Sequence, residues 1–156
     1  MAEPAFFRRL LGVAARATHA VLKAFWFVRR PKTFGAHAVA LTRGKRLVLV
    51  KLRYASGWRL PGGGRGAHED PRDAALRELR EEIGLTSHGA VQLACELEES
   101  VDFKRDTASV VIVRDVDYRP QWSWEVEQVT ESALDSLPSG LSPQTARWLE
   151  AIRPLL

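Results

Sequence analysis

Residues 63–85 read G-G-R-G-A-H-E-D-P-R-D-A-A-L-R-E-L-R-E-E-I-G-L. Asp70 is suited to cap a helix, Pro71 to its first turn, and Asp73 adds an acid where the helix dipole favours one. Gly84 is suited to end it. On that helix Glu78, Glu81 and Glu82 fall at i, i+3 and i+4, so three carboxylates share a face while Leu76, Leu79 and Ile83 point elsewhere. Like charges at that spacing repel, and a solvated helix would interleave them with lysines. The cluster therefore asks for a cation. Oxygen-only ligands suit a hard divalent ion, Mg²⁺ or Mn²⁺, which keeps some waters and completes its shell with substrate phosphate. The plainer use of such a face is a solvated surface laced by i,i+4 pairs such as Arg77 with Glu81.

The wider spacing resembles, without a gap, the Nudix box G-x5-E-x7-R-E-U-x-E-E-x-G-U, where U is a bulky aliphatic residue. Gly63, Glu69, Arg77, Glu78, Leu79, Glu81, Glu82, Gly84 and Leu85 hold its places. Seven fixed residue types match by chance in a chain of this length on the order of once in a million. The preceding W-R-L-P-G-G-G at 58–64 looks like the family's approach to the box. A looser likeness runs from about residue 34 to residue 149.

The resemblance implies an α/β/α Nudix sandwich with a mixed β-sheet. It implies a metal site in which Glu78, Glu81 and Glu82 hold Mg²⁺ (or Mn²⁺), joined by a carbonyl of Gly62 or Gly63. A glutamate is expected to return to that site from a late strand or loop, Glu125 being the choice and Glu127 the reserve. Arg77 would orient the box glutamates, and Glu69 would tie the loop to the helix or reach a metal through water. The catalytic set is then Arg77, Glu78, Glu81, Glu82 and Glu125, with the general base left open between Glu78 and a glutamate on a later loop. The implied activity is hydrolysis of the diphosphate in a nucleoside diphosphate linked to another moiety, by attack of metal-activated water. Two alternatives stand beside it: a catalytically silent nucleotide sensor on the same fold, and a membrane-peripheral interaction protein. One departure stands out. Where members read roughly V-E-P-G-E, this chain has Arg65-Gly66-Ala67-His68-Glu69, so an accessory acid is missing and His68 is expected in solvent.

The chain has 156 residues, 46% hydrophobic and 27% charged, which fits one globular domain with a real core. Its single cysteine, Cys95, excludes an internal disulfide; a buried structural thiol and a reducing, cytoplasmic setting are expected. The net charge of +4 is concentrated in the first 32 residues, so no stable nucleic-acid complex is expected. Residues 5–30 are apolar, but Arg16, His19 and Lys23 interrupt every window long enough to span a bilayer. Arg9, Arg16, Lys23 and Arg30 recur every seven residues opposite Phe7, Leu11, Ala14, Val21, Phe25 and Val28. That is a basic amphipathic helix. It would pack on the domain, form a homodimer, contact an anionic membrane surface or serve targeting. The division expected is residues 1–31 as this helix and residues 32–156 as the hydrolase domain.

Within that domain, residues 33–42 and 46–53 read as a hairpin turning at Arg43-Gly44-Lys45, and 88–98 and 107–117 as two further strands. Residues 134–138 suggest a short turn of helix. Ser142 and Pro143 start a last helix whose buried face is Trp148, Leu149 and Ile152. Tyr54, Trp58, Phe103, Trp122 and Trp124 are candidates for stacking on a base, with core packing as the default for each. Arg53, Arg59 and Lys104 are candidates for terminal phosphates.

Overall fold

Asp70 opens helix α1 (Pro71–Ile83) by accepting the Arg72 N–H on its carboxylate at 2.8 Å, and Pro71 takes the first turn. The computed structural model describes residues 32–101, 104–121 and 123–156; the expected helix at residues 5–30 lies outside them. At the far end of α1, Gly84 adopts φ 71° and its N–H returns to the Leu79 carbonyl. A Cβ there would run into the carbonyl oxygen of Arg119, whose own N–H is bonded to Gly84 O at 2.9 Å. Gly84→Ala combines a left-handed backbone with a backbone collision. It is expected to lower stability by about 2–4 kcal/mol, read as the urea midpoint; a loss below about half a kcal/mol would contradict it.

Among the described residues, eight strands carry the helix: β1 (Lys32–Thr42), β2 (Leu47–Leu52), β3 (Trp58–Arg59), β4 (Gly62–Gly64), β5 (Leu85–Ser87), β6 (Val91–Val101), β7 (Lys104–Tyr118) and β8 (Val126–Ser132). Strand β1 is central. It runs parallel to β7 from Lys32 opposite Arg105 to Thr42 opposite Val116, and β6 lies antiparallel on the far side of β7. Period-two alternation along these strands makes two cores. Ala36, Ala38, Ala40, Val111 and Val113 face Ala75, Leu79 and Ile83 of α1. Val39, Leu41, Val110 and Ile112 face Trp148, Leu149 and Ile152 of the closing helix α2 (Pro143–Ile152). The sheet is thus sandwiched between α1 and α2, as expected. Ser142 caps α2 by accepting the Thr145 N–H at 3.2 Å.

Two local expectations change. The hairpin of β1 and β2 is confined to its turn, with Leu41 opposite Leu47. Beyond that, β2 pairs with β8 and β3, and the edge of β1 is taken by β4. Both strands are apolar on both faces, so each is an interior strand needing two neighbours that one hairpin does not supply. Residues 134–138 form a turn closed by Ser136 N–H to Ala133 O at 3.1 Å, without helix; so few residues before a proline cannot nucleate one. Cys95 is half-buried against the second core, and burial pushes its thiol up, away from reactivity. Among the described residues, no helix is long and apolar enough to cross a membrane.

Candidate active site

Three glycines and one helix face build the site. Strand β4 lies antiparallel to β1, with Gly35, Ala36 and His37 opposite Gly64, Gly63 and Gly62. This lays its backbone against the carboxylates of α1. The Gly62 N–H donates to Glu82 Oε2 at 2.9 Å. At Gly62, φ is 153° and a Cβ would strike the backbone of Ala36 and His37. At Gly63 a Cβ would lie 2.8 Å from Cδ and both oxygens of Glu78. The missing side chains are therefore what allows Glu78 and Glu82 to sit where they do.

Glu78 and Glu82 are 9% and 6% exposed, whereas the Glu81 side chain is 59% exposed. The shared face thus divides into two buried carboxylates and one at the rim. Burial pushes Glu82 up to about 8 against the opposing Gly62 N–H, with the charges of Glu78, Glu125 and Glu81 adding to the rise. Glu78 is also raised, first by burial, with Arg77 opposing.

Among the described residues, Arg77 is the cation bonded to this pair, through Glu78. Its Nη1 donates to Glu78 Oε1 at 2.6 Å, its Nε to Glu69 Oε1 at 3.2 Å and its Nη2 to the Gly64 carbonyl at 2.9 Å; Glu81 stands 3.7 Å away. Glu69 also accepts the Gly66 N–H at 3.0 Å, and Arg77 followed by that bond holds its carboxyl below the usual range. The guanidinium fork thus joins loop, helix and carboxylate in one planar unit.

Glu125 enters from the opposite wall. The Arg53 N–H donates to its carbonyl at 2.9 Å, the Tyr54 hydroxyl to its Oε2 at 3.1 Å, and Ser123 Oγ accepts the N–H groups of Glu125 and Val126 at 3.2 Å each. A cleft of about 550 Å³ is lined by Gly62, Gly63, Gly64, Glu78, Glu81, Glu82, Tyr54, Ser123, Trp124 and Glu125. Glu127, the reserve, is exposed on β8 and does not line it. A second cleft of about 370 Å³ shares the three glycines and is lined on its other side by His37, Arg59, Gln144 and Trp148, among others. His37 lies 4.3 Å from the Trp148 ring, and burial lowers it to about 4, so it is neutral at pH 7.

Of the stacking candidates, Trp58 joins the second core, Tyr54 and Trp124 stand at the first cleft, and Phe103 and Trp122 lie outside the described residues. Arg59 lines the second cleft, Arg53 is exposed, and His68 is in solvent as expected. Three contributors went unread in the sequence. Ser123 was detectable, since a serine two residues before a functional glutamate can turn the backbone on its hydroxyl. The Gly64 carbonyl carried no signal. Arg65, read only as a departure, is 8% exposed and donates to Glu96 at 3.1 Å, Ser109 at 3.2 Å and the Glu69 carbonyl at 3.2 Å, with its guanidinium 5.1 Å over Phe34. A buried cation thus secures the loop that lacks the acid.

A model of the NUDIX domain matches residues 31–152. The chain belongs to the Nudix family. Among solved structures it is similar to a MutT NUDIX hydrolase from Burkholderia pseudomallei, with TM-score 0.66 and 26% identity over 78% of this chain and 98% of that one. Among curated relatives, an RNA pyrophosphohydrolase of Acidiphilium cryptum is 45% identical over 67 residues, 42% of this chain and 39% of the relative. Nudix hydrolase 25 of Arabidopsis thaliana is 43% identical over 51 residues, 31% of this chain and 29% of the relative. The aligned part of this Nudix chain thus spans less than half the length of either curated relative.

Proposed function

We propose that this Nudix chain hydrolyses a phosphoric anhydride, cleaving the diphosphate of a nucleoside diphosphate joined to a further group, with Mg²⁺ or Mn²⁺ bound. The observation that supports this most is the burial of Glu78 and Glu82 together against a glycine strand, with Arg77, among the described residues, as the cation bonded to Glu78. Two neighbouring carboxylates raised by burial and by the acidic charges around them are stabilised by a divalent charge that no side chain lining the cleft supplies. The donor set of carboxylates and peptide carbonyls, all oxygen, is the chemistry such an ion takes. Among the described residues no three acidic, histidine or cysteine side chains converge as a ready-made cradle, so one ion shared by the helix carboxylates requires the exposed Glu81 to turn inward. Glu78, Glu81 and Glu82 would hold the ion with a carbonyl of Gly62 or Gly63, and Glu125 would close the set from the opposite wall.

When bound, the cation supplies charge neutralisation at the diphosphate and an acidified water. The chain's own groups do the positioning. Arg77 fixes Glu78, and the Gly62 N–H fixes Glu82. Glu78 or Glu125 would be the carboxylate placed to accept the attacking water's proton. The diphosphate lies along the glycines of β4, and the nucleoside extends into the cleft beside His37 and Trp148. The RNA pyrophosphohydrolase relative, by its name, breaks the same kind of bond, so a 5′-phosphorylated RNA end belongs in the substrate panel.

The test is hydrolysis of nucleoside triphosphates, ADP-ribose, nucleotide sugars, dinucleoside polyphosphates and a 5′-triphosphate oligonucleotide, with Mg²⁺, Mn²⁺ or EDTA. Metal-dependent release from one class, absent in EDTA, is expected; metal binding with no release from any would leave a nucleotide sensor as the reading. Arg77→Lys is expected to lower kcat by about 10–100-fold and to raise the Mg²⁺ concentration for half-activity. One ammonium cannot serve Glu69, Glu78 and the Gly64 carbonyl together. A lysine variant with wild-type kcat and metal response would show that the fork is dispensable.

A further inference from the structure

Glu99 on β6 meets the start of α2 with a side chain only 12% exposed. Its Oε1 accepts Arg147 Nη2 and Trp148 Nε1 at 3.1 Å each, and its Oε2 accepts Gln144 Nε2 at 3.0 Å. Burial raises this carboxyl, but the three bonds outweigh it and hold it below the usual range. It is therefore a carboxylate at neutral pH, which accepts hydrogen bonds and donates none. An amide bonded to it must present its NH2, and its oxygen points elsewhere. Gln144 lines the second cleft together with Trp148, His37, Arg59 and Asp106, whose Oδ1 is occupied by the Thr33 hydroxyl at 2.7 Å. Glu99 stands behind that wall and is not part of its lining. It thus sets which end of the Gln144 amide is free to meet a ligand.

We propose that Glu99 is a positioning residue that fixes the Gln144 amide with its oxygen towards the second cleft, so that the cleft selects a ring edge bearing an amino group. This rests on the reading that the nucleoside lies in that cleft. An exocyclic amino group donates to the Gln144 oxygen, whereas a keto oxygen at the same place meets it lone pair to lone pair. The substrate class narrows to nucleotides of adenine or cytosine type over their keto counterparts, hypoxanthine and uracil. Glu99→Gln exposes the device. Its one oxygen can keep the bonds from Arg147 and Trp148, which share Oε1, while its NH2 takes the place of Oε2 opposite Gln144. The Gln144 amide must then turn over to accept, which brings its own NH2 to the cleft.

The test is calorimetric binding to the full chain, in Mg²⁺, of uncleavable α,β-methylene diphosphates of adenosine beside inosine and of cytidine beside uridine. In wild type the amino member of at least one pair is expected to bind about tenfold more tightly than its keto partner. In Glu99→Gln that ratio should fall to about one or below, and the keto member should bind more tightly than it does to wild type. Damage to the cleft weakens both members and yields no such gain, so the gain separates positioning from mere bracing of the helix. Gln144→Ala removes the amide at a helix position that alanine suits, and should bring the ratio to about one. Circular dichroism would verify that both variants fold. No amino preference in wild type, no gain by the keto member in Glu99→Gln, or a preference that survives Gln144→Ala overturns the assignment. Failure of all four diphosphates to bind overturns the second-cleft reading, and the assignment with it.

Discussion

Glu82→Gln is expected to lower hydrolysis by at least about a hundredfold while making the metal-free protein more stable near neutral pH. Glutamine can still accept the Gly62 N–H, so the loop keeps its anchor and only the charge is lost. The sign of the stability change follows from linkage. Glu82 is raised from 4.5 to about 8 in the folded protein, chiefly by burial, so the folded state holds this proton more tightly than the unfolded chain does. Stability from this group is fully present below the ordinary value, is lost as pH rises towards about 8, and is level above. The loss is on the order of 3–5 kcal/mol for a group so buried. In EDTA, the wild-type unfolding midpoint should therefore fall between about pH 5 and pH 8, and that of Glu82→Gln should fall much less. Adding Mg²⁺ should raise the wild-type midpoint and leave the variant nearly unmoved. A level wild-type profile in EDTA would remove the burial argument, and unchanged turnover in the variant would remove Glu82 from the site.

Gly63→Ala should be nearly as damaging to turnover by a different route. The added methyl would lie 2.8 Å from three atoms of the Glu78 carboxyl group. An exposed glutamate would swing aside, but this one is pinned by Arg77 at 2.6 Å and buried. The methyl therefore displaces the carboxylate by about an ångström, and misplacement on that scale lowers kcat by about a hundredfold. Stability should fall by only about 1 kcal/mol, because backbone and core are untouched. Gly44→Ala, in the turn between β1 and β2 with its nearest atom 3.7 Å away at Thr42 Oγ1, is the control. Full activity in Gly63→Ala would mean that Glu78 works from another rotamer.

Local chemistry in this chain was legible from sequence, and long-range pairing was not. Asp70, Pro71 and Gly84 bound α1 by their own backbone preferences, and Ser142 with Pro143 does the same for α2. The spacing of Arg77 with Glu78, Glu81 and Glu82 survives in three dimensions because one helix carries all four. How deeply each lies depends on what covers the helix, so the division between buried Glu78 and Glu82 and exposed Glu81 was beyond spacing alone. The parallel pairing of β1 with β7 joins residues more than seventy positions apart, and apolar strands carry no mark of their partner. Arg65 shows the same limit. A loop arginine reads as solvent-facing until Phe34, Glu96 and Ser109 arrive from three separate strands.

The glycine strand has a second effect, on contact between chains and not on the reaction. Strand β4 supplies the neighbour that β1 lacks along Gly35–His37. If the segment leading to Glu69 lifts away, Gly35, Ala36 and His37 lose their antiparallel partner and the central strand shows open peptide groups. Such an edge templates pairing between chains. Lesions in this loop therefore favour self-association, and a drop in measured activity can reflect insoluble protein as well as a damaged site. Light scattering alongside every loop variant separates the two.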